Sequence, residues 1–180
     1  AINAVNSKKE ALNGKENLAN AKQNANQTID GLTHLTNPQK EALKQLVDQS
    51  TTVAEVNENE NKAHAVDTAM EHLNQSIADH TETKNGQNYI DSSENNKDAY
   101  NNAVNTAQGI QNEVTNPVID PTVINQAAET VTNTKDALNG RENLTHAKED
   151  ANQSVGTYVH LNNAQQKDIE NKIKQATSVE

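Results

Sequence analysis

Apolar residues recur at spacings of three and four along nearly the whole chain, and strand-like alternation is nearly absent, so the pattern predicts an all-α fold. Ile2, Val5, Lys9 and Leu12 mark a first stripe, and Leu18, Ala21 or Lys22, Ala25, Ile29 and Leu32 a second. Leu12 and Leu18 are six residues apart, and six residues turn a helix by about 600°, so the buried face jumps by about 120°. The same jump separates Leu138 from Leu144, and Gly14 and Gly140 lie inside the two jumps. Two readings are open. The helix stops there, or one long helix serves one bundle with its first half and another with its second. A glycine costs about 1 kcal/mol relative to alanine inside a helix. Ala-Leu before it and Lys/Arg-Glu-Asn-Leu after it are good helix formers, so a continuous or slightly kinked helix is the expectation.

Further along, Thr36-Asn37-Pro38-Gln39 reads as a capped helix start, with Gln39 placed for a capping box and Pro38 tolerated in the first turn. That helix carries Leu43, Leu46 and Val47 and ends before Thr51-Thr52. A third helix follows with Val56, Ala63, Val66, Met70, Leu73 and Ile77, interrupted only by a polar residue at 59 or 60. Three such helices with short joins predict an antiparallel bundle. A polar stretch from His80 to Asn88 separates it from a second pair of helices. Ser92 or Ser93 caps the first, with Tyr100, Ala103, Ala107, Ile110 and Val114 on one side, and Asn116-Pro117 ends it. Asp120-Pro121 starts the other, with Ile124, Ala127, Val131 and Leu138, which runs into Asn139-Gly140.

The chain repeats itself. Ala11-Leu12-Asn13-Gly14-Lys15-Glu16-Asn17-Leu18 returns as Ala137-Leu138-Asn139-Gly140-Arg141-Glu142-Asn143-Leu144, and His34-Leu35 returns as His160-Leu161, always 126 residues later. Residues 1–54 lie on 127–180 without a gap, with 22 identities in 54. The chain therefore reads as one unit of 126 residues plus the first 54 of the next, a segment of a longer tandem array. A unit this long exceeds the standard solenoid repeats. With only two of three helices in the second copy, residues near 160–180 are expected to be the least stable part.

The region from about 16 to 78 resembles the GA module, a three-helix module of bacterial albumin-binding proteins. The resemblance rests on Ile29, Leu32, Leu35, Gln39-Lys40, Leu43, Val47, the turn Thr52-Val53-Ala54-Glu55-Val56, and Ala69, Met70 and Leu73. Residues from about 142 to 180 resemble the same module again. Residues from about 89 to 138 resemble the FIVAR module, through Tyr89, the run from Lys97 to Ala107 and Ala137-Leu138. Alternation of the two in 126-residue units is similar to the family of giant staphylococcal extracellular matrix-binding proteins. The resemblance divides the chain into 1–15, the end of a preceding FIVAR-like module; 16–78, GA-like; 79–141, FIVAR-like; and 142–180, an incomplete second GA-like module. It implies tandem three-helix bundles in series forming an elongated rod, with long helices shared or continuous across the junctions. It also implies a secreted, wall-anchored parent at the bacterial cell surface that binds fibronectin and helps cells withstand osmotic stress. Albumin-binding GA modules use an aromatic cluster on the second helix, where this chain has Ala42-Leu43-Lys44. Albumin binding is therefore not expected here.

Composition narrows the chemistry. There are 29 Asn and 14 Gln, no Phe, Trp or Cys, and a formal net charge of −10. Bulky apolar residues are too few for one large core but suffice for several thin ones. An acidic chain lacks the cationic surface that nucleic acid needs. Disulfides and Cys-ligated metals are excluded. No signal peptide opens the chain, and no stretch approaches the roughly 18 apolar residues of a membrane span, so this segment is not expected to insert. Four Asn-x-Ser/Thr matches, at Asn26, Asn74, Asn143 and Asn152, are what this much Asn gives by chance.

No residue is nominated as catalytic, cofactor-binding or metal-ligating. His64 and Asp67 could share a helical face, but a metal needs more ligands than that pair. His34 and His160 recur at the interhelix turn, which suggests loop geometry or bundle packing. Glu58, Asn59 and Glu60 read as a solvated face. Tyr89, Tyr100 and Tyr158, the only aromatics, are assigned to core or joint packing. The expected function is a non-enzymatic, monomeric repeat segment: an extended spacer with weak multivalent adhesion to fibronectin or another matrix protein. The alternative is a dedicated module for albumin or another host protein. A sustained coiled coil is disfavoured by the capped helices and the face jumps.

Overall fold

In the computed structural model, which describes residues 2, 5, 8, 9 and 12–179, every regular element among those residues is a helix. In chain order these are α1 (Gly14–Gly31), α2 (Asn37–Gln49), α3 (Val53–Ile77), α4 (His80–Asn85), α5 (Gln87–Ile90), α6 (Glu94–Asn112), α7 (Pro121–Asp136), α8 (Gly140–Gly156) and α9 (Asn163–Gln175). Ahead of α1, Ile2, Val5, Lys8 and Lys9 are also helical. None of the described helices is long and apolar enough to cross a membrane. The chain forms two compact units, Ala1–Asn74 with Ala107–Ala128 and Gln75–Thr106 with Glu129–Glu180. All three division points fall inside helices, in α3, α6 and α7. Helices thus contribute to more than one unit, as the sequence leads one to expect.

In the first unit the stripes predicted from spacing become the core. Ala25 and Ile29 of α1, Leu43 and Val47 of α2, and Val56, Ala63, Val66 and Met70 of α3 are all buried. The starts are capped as their sequences demand. The Thr36 side chain accepts from the Gln39 backbone N–H, and the Thr36 backbone N–H donates back to Gln39 Oε1 at 3.0 Å. Gln39 is itself fully buried, and its amide donates to the Val118 carbonyl at 2.8 Å. The polar interruption in α3 is Asn59, whose amide donates to the Leu46 carbonyl at 3.2 Å and the Ser50 hydroxyl at 3.0 Å. It covers the C-terminal end of α2 and so is structural.

The start of α3 holds a pH-sensitive cap. Thr52 Oγ1 accepts from the Glu55 N–H at 3.1 Å, while the Glu55 carboxylate accepts from the Thr51 N–H at 2.6 Å and the Thr51 hydroxyl at 3.0 Å. These bonds, the one from the Thr51 backbone first, hold the Glu55 carboxyl below the usual carboxylate range. A folded-state value below the unfolded one stabilises the fold fully above the unfolded pKa, and that stabilisation is lost as pH falls through the folded pKa. Glu55→Gln should therefore lower the thermal midpoint at neutral pH. The gap from the parent should close in acid as the parent's carboxylate protonates. A gap independent of pH in paired thermal melts would contradict this.

In the second unit Tyr100, Ala103 and Val104 of α6 are buried together with Val131 of α7 and Leu138. Tyr89 meets Tyr100 edge-on, with centroids 6.2 Å apart and planes at 66°. The Tyr89 hydroxyl is tied to the Asn101 side chain.

Three expectations need correction, and one stretch that the pattern left unassigned is filled in. The helix is not continuous at the glycines. Residues 137–139 leave the helix after α7, Leu12 and Asn13 are likewise non-helical, and α1 and α8 begin at Gly14 and Gly140. The 120° jump is thus made by breaking the helix. The polar stretch from His80 to Asn88 is largely helical, in α4 and α5. α6 ends at Asn112, before Asn116-Pro117, because Glu113 Oε1 accepts from the Thr115 and Asn116 N–H groups at 2.8 and 3.0 Å, which favours a turn. Val114 is consequently off the helix and 72% exposed. Tyr158 is 53% exposed and does not pack in a core.

Candidate functional site

The break at 137–140 is densely hydrogen-bonded. Asn88 donates to the Leu138 carbonyl at 2.9 Å, and Asn96 to the Ala137 carbonyl at 2.7 Å. Those carbonyls would otherwise call for another helical turn. The Asn139 side-chain oxygen accepts from the Ser92 hydroxyl at 2.9 Å and the Ser93 N–H at 3.1 Å. The Arg141 N–H, an orphan donor in the first turn of α8, reaches Asn88 Oδ1 at 3.1 Å. Asn143 donates to the Asp91 carbonyl at 2.8 Å. Lys135 pairs with Asp79, and that partnership raises its pKa. Spacing predicted Ser92 or Ser93 as a cap. Only Ser93 serves α6, through the Asn96 N–H at 3.4 Å, while Ser92 is drawn to Asn139.

Gly140 is buried, and a Cβ there would sit 2.5 Å from the Gln87 carbonyl oxygen and 2.6 Å from that of Asn88. The glycine is needed for space, since no described residue has a positive φ. Beside it, Asp79, Glu82, Gln87, Lys135, Leu138 and Arg141 contribute to a cleft of about 410 Å³. Its charges are of both signs, so it favours neither an anion nor a cation.

A second groove, of about 440 Å³, lies in the first unit between the N-terminal half of α2, at Asn37, Pro38, Glu41, Ala42 and Gln45, and the loop at Val114, Thr115 and Pro117. Leu43, at the centre of the sequence matched to an aromatic cluster in albumin-binding modules, is fully buried. The third open surface is the second GA-like copy. Ile169, Ile173 and Leu161 are half-buried and Val159 is 85% exposed, whereas Leu43, Val47 and Leu35, their counterparts at 169, 173 and 161, are buried.

One histidine does structural work. His34 donates its backbone N–H to Asp67 Oδ1 at 2.8 Å, and its ring Nδ1 lies 3.0 Å from Oδ2. This ties the α1–α2 turn to α3, the loop role expected of it. Asp67 does not pair with His64, which is exposed. Sequence reading missed Asp67 because its partner lies 33 residues away. His160, the counterpart of His34, is exposed. Glu58 is exposed, and no group of three His, Cys, Asp or Glu that could hold a metal occurs among the described residues.

Comparison with known proteins agrees with this geometry. The GA module family model matches residues 15–69 and 141–180, and the FIVAR domain model matches 69–139. Over all 180 residues the chain is 61% identical to extracellular matrix-binding protein ebh of Staphylococcus aureus strain COL and 62% identical to EbhA of strain N315. It spans only 2% and 3% of the lengths of those relatives. It superposes on the crystal structure of the 756–1003 domain of EbhA from Staphylococcus aureus with a TM-score of 0.93 at 38% identity, covering 97% of this chain and 71% of that one. It is also similar to a structure from work on Embp-mediated adherence of Staphylococcus epidermidis to fibronectin, with a TM-score of 0.66 at 32% identity, covering 69% of this chain and 98% of that one.

Proposed function

The chain belongs to the family of staphylococcal extracellular matrix-binding proteins built from GA and FIVAR modules, and from that membership we propose that it is a non-enzymatic repeat segment of a surface adhesin. Its parent is a secreted, cell-wall-anchored protein. The segment acts as an extended spacer that also binds fibronectin weakly, and it contributes to cell-envelope integrity. The observation that carries the reading is the whole-chain match to the EbhA domain. The fibronectin part rests on the likeness to the Embp structure. Its modules divide near residues 15, 78 and 141, and the segment is monomeric.

A hydrated surface rich in uncharged Asn and Gln side chains and poor in aromatic residues suits low affinity per module. Many modules in one chain raise the effective concentration of the next contact, so avidity grows without a new contact. Albumin is disfavoured as the partner, because Leu43 is committed to the core and Ala42 faces the 114–117 loop across the groove.

The test is equilibrium binding of this chain, and of an array of several units, to immobilised fibronectin and albumin at physiological salt. The array should retain fibronectin at concentrations where the single chain is barely bound. Absence of fibronectin binding by both proteins would remove the adhesive half of the proposal, and tight albumin binding by the single chain would favour the dedicated-module reading.

A further inference from the structure

Asparagine is followed by glycine at 13–14, 85–86 and 139–140. That pair carries a chemistry of its own, because no side chain shields the glycine nitrogen from the asparagine Cγ. The fold treats the three places differently. The Asn139 side-chain oxygen accepts from the Ser92 hydroxyl at 2.9 Å and the Ser93 N–H at 3.1 Å. Gly140 beside it is buried, with the Gln87 carbonyl oxygen 2.5 Å from where a Cβ would stand. The Asn13 oxygen accepts from the Asn17 amide at 3.1 Å. Asn85 is exposed, and among the described residues nothing hydrogen-bonds its side chain. It ends the six-residue helix α4, none of whose residues is buried, so its last turn can open without disturbing a core. Neither conformation nor space calls for the glycine that follows. Gly86 has φ −82° and ψ 147°, which suit any residue. A Cβ there would meet the Thr83 carbonyl oxygen at 3.3 Å, a tight contact that a small shift relieves.

We propose that Asn85-Gly86 is a site of spontaneous covalent modification, at which the side-chain amide is lost and the backbone is partly rerouted. The Gly86 N–H releases the Thr83 carbonyl, to which it donates at 3.1 Å, and gives its proton to water. The nitrogen bonds to Asn85 Cγ, the bond from Cγ to Nδ2 breaks, and Nδ2 takes up a proton and leaves as ammonia. Water then opens the five-membered imide. Cleavage between the nitrogen and Cγ leaves aspartate. Cleavage between the nitrogen and the main-chain carbonyl carbon leaves isoaspartate, in which the chain runs through the side chain and is one carbon longer. Water is the only co-reactant. The two products differ in consequence. Aspartate adds a charge at an exposed position. Isoaspartate lengthens the link into α5, where the Gly86 carbonyl accepts from the Tyr89 and Ile90 N–H groups at 3.0 and 3.1 Å. The Gln87 and Asn88 carbonyls packed on Gly140 follow at once, and that contact has no slack. Isoaspartate at 85 therefore loosens the break at 137–140, and the fraction converted records the time since the chain was made. None of this depends on fibronectin binding.

The test is incubation of the chain at mildly alkaline pH and physiological temperature, with peptide mapping by mass spectrometry and isoaspartate scored by enzymatic methylation. In the native chain Asn85 should convert about tenfold faster than Asn139 or more, since Asn139 reacts only after local unfolding. In concentrated urea, where both are plain Asn-Gly, the two rates should converge. Gly86→Ala, whose backbone conformation suits alanine, should fold and should slow conversion at residue 85 by about tenfold or more, because a methyl beside the nitrogen hinders its approach. The isoaspartate form, separated from the rest, should exchange its Ser93 and Arg141 amides faster than the Asn85→Asp variant does, since both amides are held at the break. Equal rates at 85 and 139 in the native chain, or undiminished conversion in Gly86→Ala, would overturn the site. Unchanged exchange in the isoaspartate form would overturn its effect on the break.

Discussion

Leu43→Ala should unfold the first GA-like bundle well before the parent, while Ile169→Ala, the same position one repeat later, should be close to silent. Leu43 is fully buried, and truncating a buried leucine costs about 2–5 kcal/mol through lost transfer energy and the cavity left behind. Ile169 is half-buried with no third helix over it, so little cavity can form and the cost should be of the order of a surface change, about 0.5 kcal/mol. Site-resolved amide exchange measures both in one sample. Protection across residues 38–77 should collapse in Leu43→Ala. Residues 163–175 should exchange fast in the parent and in either variant. Equal protection of the two copies in the parent would show that α8 and α9 are stable as a pair, against the burial pattern.

The second large effect belongs to Tyr100, the largest fully buried side chain. Its hydroxyl is buried without a hydrogen bond of ordinary geometry, although Thr83 is near, and burial pushes the phenol pKa up. Tyr100→Ala should cost about 3–5 kcal/mol by opening a cavity where α6 meets Tyr89. Tyr100→Phe keeps the ring and removes an unsatisfied polar group, so it should be neutral or stabilising by up to about 1 kcal/mol. Chemical denaturation of the pair separates ring from hydroxyl. A large loss in Tyr100→Phe would mean that the hydroxyl has a partner, with Thr83 the nearest candidate.

What could be read from the sequence was whatever depends on neighbours along the chain. The stripe Val56, Ala63, Val66, Met70, Leu73 was legible because a helix returns the same face every three or four residues. The Thr36–Gln39 cap was legible because both partners lie within one turn. The repeat was visible without any structure, and with it the relation between Gly14 and Gly140. What the glycines do was not legible. The glycine's cost of about 1 kcal/mol is small enough for flanking helix formers to carry a helix through Gly140, but Asn88, Ser92 and Asn96, 41 to 50 residues earlier, supply hydrogen bonds that replace the missing turn. The Asp67 partner of His34 was hidden for the same reason. Tyr158 was misplaced because the helical stripe stops at Gly156 and Tyr158 lies in the turn beyond it.

The first unit is assembled from two separate stretches of chain, and this bears on the order in which it forms during synthesis and export. Helices α1 to α3 are contiguous and rich in local contacts, the kind that close quickly. The hydrogen bond from Gln39 to Val118 spans 79 residues and cannot form until the later stretch has emerged. Loop-closure entropy rises only slowly with length, so the delay is one of availability more than of cost. A chain emerging from its N-terminus would hold a three-helix intermediate whose Gln39 amide still lacks the Val118 carbonyl. The polar group that completes the unit would thus also report when translation or secretion has passed residue 118.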